Sequence, residues 1–365
     1  MFLSLIAFFK YLGYPSNKKK FTIYSEGIFY KNYYYQLALK LNQTNELTIV
    51  TSDKKEFNSL KDNFAIFLID NFLIKFFFFT FVNCKYLIMT MNDIGNNYNR
   101  SKFCEKYIYF FHSLASTHQI YNEKAYDNYD IIFINGKYQE LEIRFREKLK
   151  KLKKKTIINS GYFFLKYLRE VKKLPEIKNS ILFAPSWNKS KRNFFNSMSE
   201  DIIQKLLNLN YSVILRPHPE IIKRNEQKFI FIKEKFSKYS KFQIDLSEDN
   251  IFLNRCEFIL TDTSTIAIEF CLLKKKPPIY FNFEKKIHNP NYKDLPYESY
   301  ENNFKNKFGI NIENLNELDN LGPLIHNFLA KKDSFEIELI KFEKETLFNV
   351  DSSVDIAFKS LININ

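Results

Sequence analysis

A chain of 365 residues, 45% hydrophobic and 26% charged, holds enough apolar material for two cores and has the balance of a globular protein. Its net charge of +14 points to anionic partners. The basic residues are scattered and no nucleic-acid-binding signature is present, which leaves anionic small substrates or an acidic membrane surface and sets nucleic acid aside.

Phe (40) and Tyr (23) are abundant alongside Lys, Asn and Ile, a pattern that reads as the codon bias of an AT-rich genome. The four cysteines (84, 104, 256, 271) have no CxxC spacing and read as reduced, mostly buried thiols of a cytoplasmic protein, with no zinc site expected.

Residues 2–9, "FLSLIAFF", are too short to cross a bilayer and lead to no cleavage site, so residues 1–19 form an apolar and basic segment that can rest on a membrane surface. The stretch 64–82 is long enough to span, but Asp70 and Lys75 interrupt it, and it reads as a buried helix or strand–helix unit. Short apolar runs then recur, each ending in a polar loop: "FTIYSEG" (21–27), "LTIVTSD" (47–53), "YLIMTMND" (86–93), "YIYFFHS" (107–113) and "DIIFING" (130–136). Helical patterns separate them, the rhythm of an α/β domain with a mainly parallel sheet. The dense run Lys148–Lys155, "KLKKLKKK", is either a solvated face or a contact for acidic lipid.

A polar connector, 172–180, marks the boundary between a first domain, 20–172, and a second, 180–350, with residues 351–365 as a terminal helix packing back. The second half repeats the rhythm with "SILFAPSW" (180–187), "YSVILRPHP" (211–219), "KFQIDLS" (241–247), "CEFILTDTS" (256–264) and "PPIYFNF" (277–283). A helix over 199–210 is expected to start with Ser199 as its N-cap. The expected architecture is therefore α/β, two domains facing each other across a cleft.

In such sheets ligands lie beyond the carboxyl ends of the strands. That rule selects Glu26, His112, Ser186, Arg216, His218 and the cluster Thr261–Asp262–Thr263–Ser264–Thr265. The cluster opens a helix and admits two readings, plain N-capping or a phosphate cradle of amides and hydroxyls. Glu269, one turn on, either faces a ribose or faces solvent. Arg216 has the geometry of a phosphate fork, and prolines on both sides of His218 hold it rigidly. His112 suits a general base. His118, six residues further, lacks a chelating spacing and either touches an acceptor or is exposed.

These strand ends resemble the CDP-glycerol glycerophosphotransferase family, which includes teichoic-acid and capsule polymer enzymes. "LFAPSWN" (182–188), Arg216-Pro217-His218-Pro219, Thr261–Thr265 with Glu269, and "KPPIYF" (276–281) correspond to motifs of its C-terminal domain. "YSEG" (24–27), "VTSD" (50–53), "MTMND" (89–93) and the segment 109–144 have counterparts in its N-terminal half. The resemblance implies a GT-B fold of two Rossmann-like domains. It implies transfer of glycerol phosphate from CDP-glycerol to an acceptor hydroxyl, lipid-linked or saccharide, with no cofactor or metal.

By the same resemblance, His112 and His218 are catalytic. Arg216, Asp262, Thr263, Ser264, Thr265, Glu269 and Ser186 bind the donor, and Glu26, Ser113 and His118 lie on the acceptor side. Ser113 stands where family polymerases have glycine, and Asn188 replaces a frequent arginine. The alternatives are a GT-B glycosyltransferase using a nucleotide sugar and a non-catalytic scaffold on an anionic membrane. A cytoplasmic location, peripheral on the inner membrane face, follows from either enzymatic reading.

Overall fold

The computed structural model describes every residue except Asp93, Lys191 and Asn365, so the Asp93 end of "MTMND" lies outside the described residues. Among the described residues thirteen strands form two sheets. The first contains β1 (Phe21–Ser25), β2 (Leu47–Thr51), β3 (Ile66–Leu68), β4 (Tyr86–Met89), β5 (Lys106–Phe110), β6 (Ile131–Phe133) and β7 (Thr156–Ile158). The second contains β8 (Ile177–Phe183), β9 (Ser212–Leu215), β10 (Phe242–Ile244), β11 (Cys256–Thr261), β12 (Ile279–Phe281) and β13 (Ile310–Ile312).

Strand order is β3-β2-β1-β4-β5-β6-β7 in one sheet and β10-β9-β8-β11-β12-β13 in the other, with every pairing parallel. Both are the doubly wound order, in which the winding reverses once per sheet, between β1 and β4 and between β8 and β11. Strands β1, β2 and β4 are buried along their whole length, as a parallel sheet covered on both faces requires.

The helix Ser353–Asn363 returns to the first sheet. Its Val354, Ala357 and Leu361 join Phe21, Leu37 and Leu41 in one core. The return path runs past Gly161, whose φ of +90° and whose closeness to the Phe348 carbonyl exclude a side chain; a Cβ there would lie 2.1 Å from that oxygen.

The 64–82 stretch is a strand–helix unit, β3 and the helix Phe72–Phe81. It is only half buried. Ile74, Phe78 and Phe79 point inward, whereas Phe72, Leu73, Phe76, Phe77 and Phe81 are exposed.

One local expectation is corrected. The helix expected at 199 begins at Phe194, capped by the Asn193 side chain on the Asn196 amide at 3.0 Å. Ser199 is thus buried mid-helix, because Phe194 and Phe195 are drawn into the core and extend the helix backwards. The second sheet also has a sixth strand, β13, in a stretch without strand-like length.

Candidate active site

The reversal point of the second sheet is held by a side-chain clamp. Asp262, at the end of β11, accepts from the Ser186 amide (2.8 Å) and hydroxyl (2.6 Å) at the end of β8. The Ser186 hydroxyl also lies 3.1 Å from that of Thr263. Asp262 therefore ties the two strand ends together and does not cap the following helix, Ile266–Lys274. Among the described residues no side chain caps that helix, and the hydroxyls of Ser264 and Thr265 make no hydrogen bond within the protein. Thr263 and Ser264 line a narrow crevice with Tyr280, Glu301 and Lys305.

Glu269 does not face solvent. It is 2% exposed, and its carboxylate accepts from the Tyr162 hydroxyl of the first half at 2.5 Å. Burial drives its pKa up to about 8, against the opposing pull of the Tyr162 hydrogen bond and Arg216. Arg216, at the end of β9, spends much of its fork on the protein. It donates to Asp245, to the Ser247 carbonyl (3.2 Å) and to Asn250 Oδ1 (2.5 Å). It anchors the loop after β10 while its charge bears on Glu269.

His218 is the N-cap of the short helix Pro219–Arg224. Its Nδ1 accepts from the Glu220 amide at 3.2 Å, and its ring stacks on Trp187 at 6.3 Å. An accepting Nδ1 carries no proton, so the neutral ring bears its proton on Nε2. Burial, then the charges of Lys286, His112 and Lys223, lower its pKa to about 3.

On the opposite side, His112 follows β5, with Nδ1 paired to the Thr90 hydroxyl just beyond β4. Its ring is edge-on to Tyr30 at 5.4 Å and to Tyr33 and Tyr121 at 6.2 Å. Burial and Lys286 bring its pKa down to about 4, so the imidazole is neutral at physiological pH. The two histidines come from different halves, and a charge on His112 would oppose protonation of His218.

The acceptor-side candidates separate. Glu26 is exposed past β1. Ser113 is buried, its hydroxyl 2.8 Å from that of Tyr121. His118 is neither helical nor exposed; it is 4% accessible in a turn, with Nδ1 3.4 Å from Glu142. Burial alone would lower its pKa, but the Glu142 carboxylate reverses this and raises it. Glu142 also binds the amide (2.6 Å) and hydroxyl (2.7 Å) of Thr117, so His118 belongs to a buried network stiffening the seam.

The structure adds residues that the sequence reading passed over: Thr90, Tyr162, Trp187, Lys286, His288 and Lys305. Thr90 and Lys286 also follow strand ends, the signal that found His112. Lys286 was hidden in "FEKKI", which looks like a solvated charge run.

Compared with known proteins, residues 156–321 match the family of CDP-glycerol:poly(glycerophosphate) glycerophosphotransferases. No curated protein matches the sequence. Among solved structures, the wall teichoic acid polymerase TagF soaked with CDPG is similar at a TM-score of 0.57 and 14% identity, over 99% of this chain and 95% of that one. A putative UDP-N-acetylglucosamine 2-epimerase from Listeria monocytogenes is similar at 0.59 and 12% identity, over 94% and 96%. The UDP-GlcNAc 2-epimerase from Neisseria meningitidis, bound to UDP-GlcNAc, is similar at 0.57 and 10% identity, over 94% and 99%. At these identities the structural likenesses establish the fold, two Rossmann-like domains of the GT-B kind. The segment that matches the CDP-glycerol:poly(glycerophosphate) glycerophosphotransferase family, 156–321, holds the Ser186–Asp262 clamp, His218 and Glu269.

Proposed function

We propose that the protein transfers glycerol phosphate from CDP-glycerol to an acceptor hydroxyl in the synthesis of a cell-surface polymer. The observation that carries this is the family segment bearing one neutral histidine, opposed across the cleft by a second from the other half. The acceptor oxygen attacks the phosphorus that bears glycerol. A new P–O bond forms, the bond to the bridging oxygen breaks, CMP departs, and the acceptor proton passes to a base. His112 suits that base: in the tautomer whose Nδ1–H donates to the Thr90 hydroxyl its Nε2 lone pair is free, and at a pKa of about 4 the ring is unprotonated at neutral pH. His218, with its proton on Nε2, suits donation to a phosphate oxygen as charge builds on the leaving group. The hydroxyls of Ser264 and Thr265, at the start of the 266–274 helix, suit the donor phosphates, and Glu269 the ribose.

A peripheral site of work on an anionic membrane, where a lipid-linked acceptor resides, is supported by one surface. The helices Phe2–Leu12 and Phe72–Phe81 pack together through Tyr11 and Phe78, with ring centres 5.3 Å apart. They expose Phe2, Leu3, Phe9, Phe72, Leu73, Phe76 and Phe77 side by side with Lys10 and carry no acidic residue. So much exposed aromatic surface marks an interface, and its form is that of helices lying in the headgroup layer. Among the described residues no helix is long and apolar enough to cross a membrane. The Lys148–Lys155 run contributes less, since Lys150 pairs with Glu123 and Asp294 and Lys155 is buried.

The test is calorimetric titration of the full chain with CDP-glycerol, CMP, UMP and UDP-sugars, followed by turnover with a glycerol-phosphate acceptor. Binding of CDP-glycerol tighter than CMP, with CMP release on adding acceptor, is the expected result. Binding of a UDP-sugar alone would overturn the donor assignment in favour of glycosyl transfer.

A further inference from the structure

The segment Asn282–Asn289 leaves the carboxyl end of β12 and crosses to the other half of the molecule. Its start is tied to the second sheet, with the Asn282 amide donating to the Ile312 carbonyl at 2.7 Å. Its far end is tied to the first half. The His288 and Asn289 amides both donate to the Gln119 carbonyl (3.0 and 3.2 Å), and Asn289 Nδ2 donates to the His118 carbonyl at 2.8 Å. His288 packs edge-on to Trp187 at 5.6 Å, next to the ring that stacks on His218. The segment is thus a strap fastened at both ends across the cleft.

Lys286 sits in the middle of this strap. It stands two residues before His288, whose ring packs on Trp187, and its charge bears on His112 beyond β5, on His218 beyond β9 and on His288. Among the described residues it makes no hydrogen bond and no ion pair. Of the two carboxylates that act on it, Asp262 is held by Ser186, and Glu301 accepts from the Ser116 amide at 2.9 Å through Oε2, its Oε1 being buried without a hydrogen bond among the described residues. Burial lowers its pKa, against the opposing pull of Asp262 and Glu301. Its neighbours on the strap are spent or exposed: Glu284 approaches Arg192 at 3.8 Å, and Lys285 is in solvent. Arg216, the obvious phosphate fork, is largely occupied by Asp245, Ser247 and Asn250. The site therefore has a free cation where the opposite halves meet, and its arginine is committed to holding a loop.

We propose that Lys286 is the cation that receives the donor diphosphate, delivered to the centre of the cleft by the Asn282–Asn289 strap. This rests on the donor-nucleotide reading of the site and extends it to a residue outside the family-like motifs. A compact ammonium on a flexible stem can follow the negative charge from the diphosphate in the ground state to the departing phosphate in the transition state. After burial, the same charge adds to the lowering of the His112 and His218 pKa values in the empty site, and it is compensated when the donor binds.

The test is calorimetric titration of the full chain, wild type, Lys286→Met and Lys286→Arg, with CDP-glycerol, inorganic pyrophosphate and cytidine. Lys286→Met is expected to weaken CDP-glycerol and pyrophosphate at least tenfold and to leave cytidine unchanged, with Lys286→Arg within a few-fold of wild type. Lys286→Met should melt no lower than wild type, since it removes a cation that has no partner. A second readout is the acid limb of kcat/KM, which should move upward from near pH 4 in Lys286→Met as the histidines lose a repelling charge. Besides each other, the other charges facing these groups are Asp262, Glu301, Lys223 and Lys189, and all stay in place. Unchanged diphosphate affinity in Lys286→Met, or an equal loss for cytidine, would overturn the proposal. The two readings fail separately. CDP-glycerol binding that ignores Lys286 sinks only this inference, whereas Lys286-dependent binding of a UDP-sugar without CDP-glycerol sinks only the donor assignment.

Discussion

Replacing Glu269 by Gln should change how stability depends on pH, in a direction set by its burial. Unfolded, the carboxyl loses its proton near 4.5; folded, it holds the proton to about 8. Between those values the folded state binds more protons than the unfolded state, so stability is full below pH 4.5 and falls as pH rises to about 8. At about 1.4 kcal/mol for each pH unit, the loss amounts to about 5 kcal/mol. Glu269→Gln keeps an acceptor for the Tyr162 hydroxyl and cannot ionise, so this loss disappears.

The assay is urea unfolding of both proteins at pH 5 and pH 8.5, read as the difference between them. That difference cancels Glu56 and Glu301, which burial also raises, and the histidines 112, 218 and 288, which act in the opposite sense at lower pH. A gain for the variant of at least about 3 kcal/mol at pH 8.5 relative to pH 5 is expected. Parallel pH profiles would refute the reasoning, because an ionised, water-exposed Glu269 leaves no such gap.

Four other perturbations test separate parts of the structure. His112→Ala should abolish turnover with the melting temperature retained, and the wild-type acid limb of kcat/KM should lie near pH 4; a limb near 6.5 would mean an unburied imidazole. Asp262→Ala removes both acceptors of the Ser186 amide and hydroxyl, and the loss of the clamp should cost about 2–4 kcal/mol in urea unfolding and weaken nucleotide binding; unchanged stability would show that the clamp contributes nothing to stability. Gly161→Ala should lower stability by about 1–3 kcal/mol or more, given its φ of +90° and the Phe348 carbonyl, whereas Gly322→Ala, with open space around it, should be neutral or gain up to about 1 kcal/mol; thermal melts of the pair check both. Replacing Phe72, Phe76 and Phe77 together by Ser should abolish sedimentation with vesicles containing phosphatidylglycerol while leaving CDP-glycerol binding intact, and retained sedimentation would exclude this face as the membrane contact.

The sequence by itself determined the class of fold and the places where chemistry belongs. Runs such as "FTIYS" and "LTIVT" carry no charge on either face and lie buried along their whole length, as a parallel sheet covered on both sides requires, and their polar ends mark where a ligand can sit. His112, Arg216, His218 and the 261–265 cluster were legible for that reason, and so was the likeness to a family.

What each of these residues touches was decided only by tertiary structure, because it depends on chains brought together from distant positions. Whether Glu269 meets solvent or Tyr162, 107 positions earlier, is a matter of how two domains dock. His118 became a buried element of the seam because Glu142 arrived beside it, and Arg216 became an anchor because Asp245 and Asn250 claimed its fork. Lys286 looked like one more surface lysine until the strap carried it into a cleft where no carboxylate pairs with it. Local pattern reports burial and periodicity; the pairing of charges across a cleft is a property of the folded contacts alone.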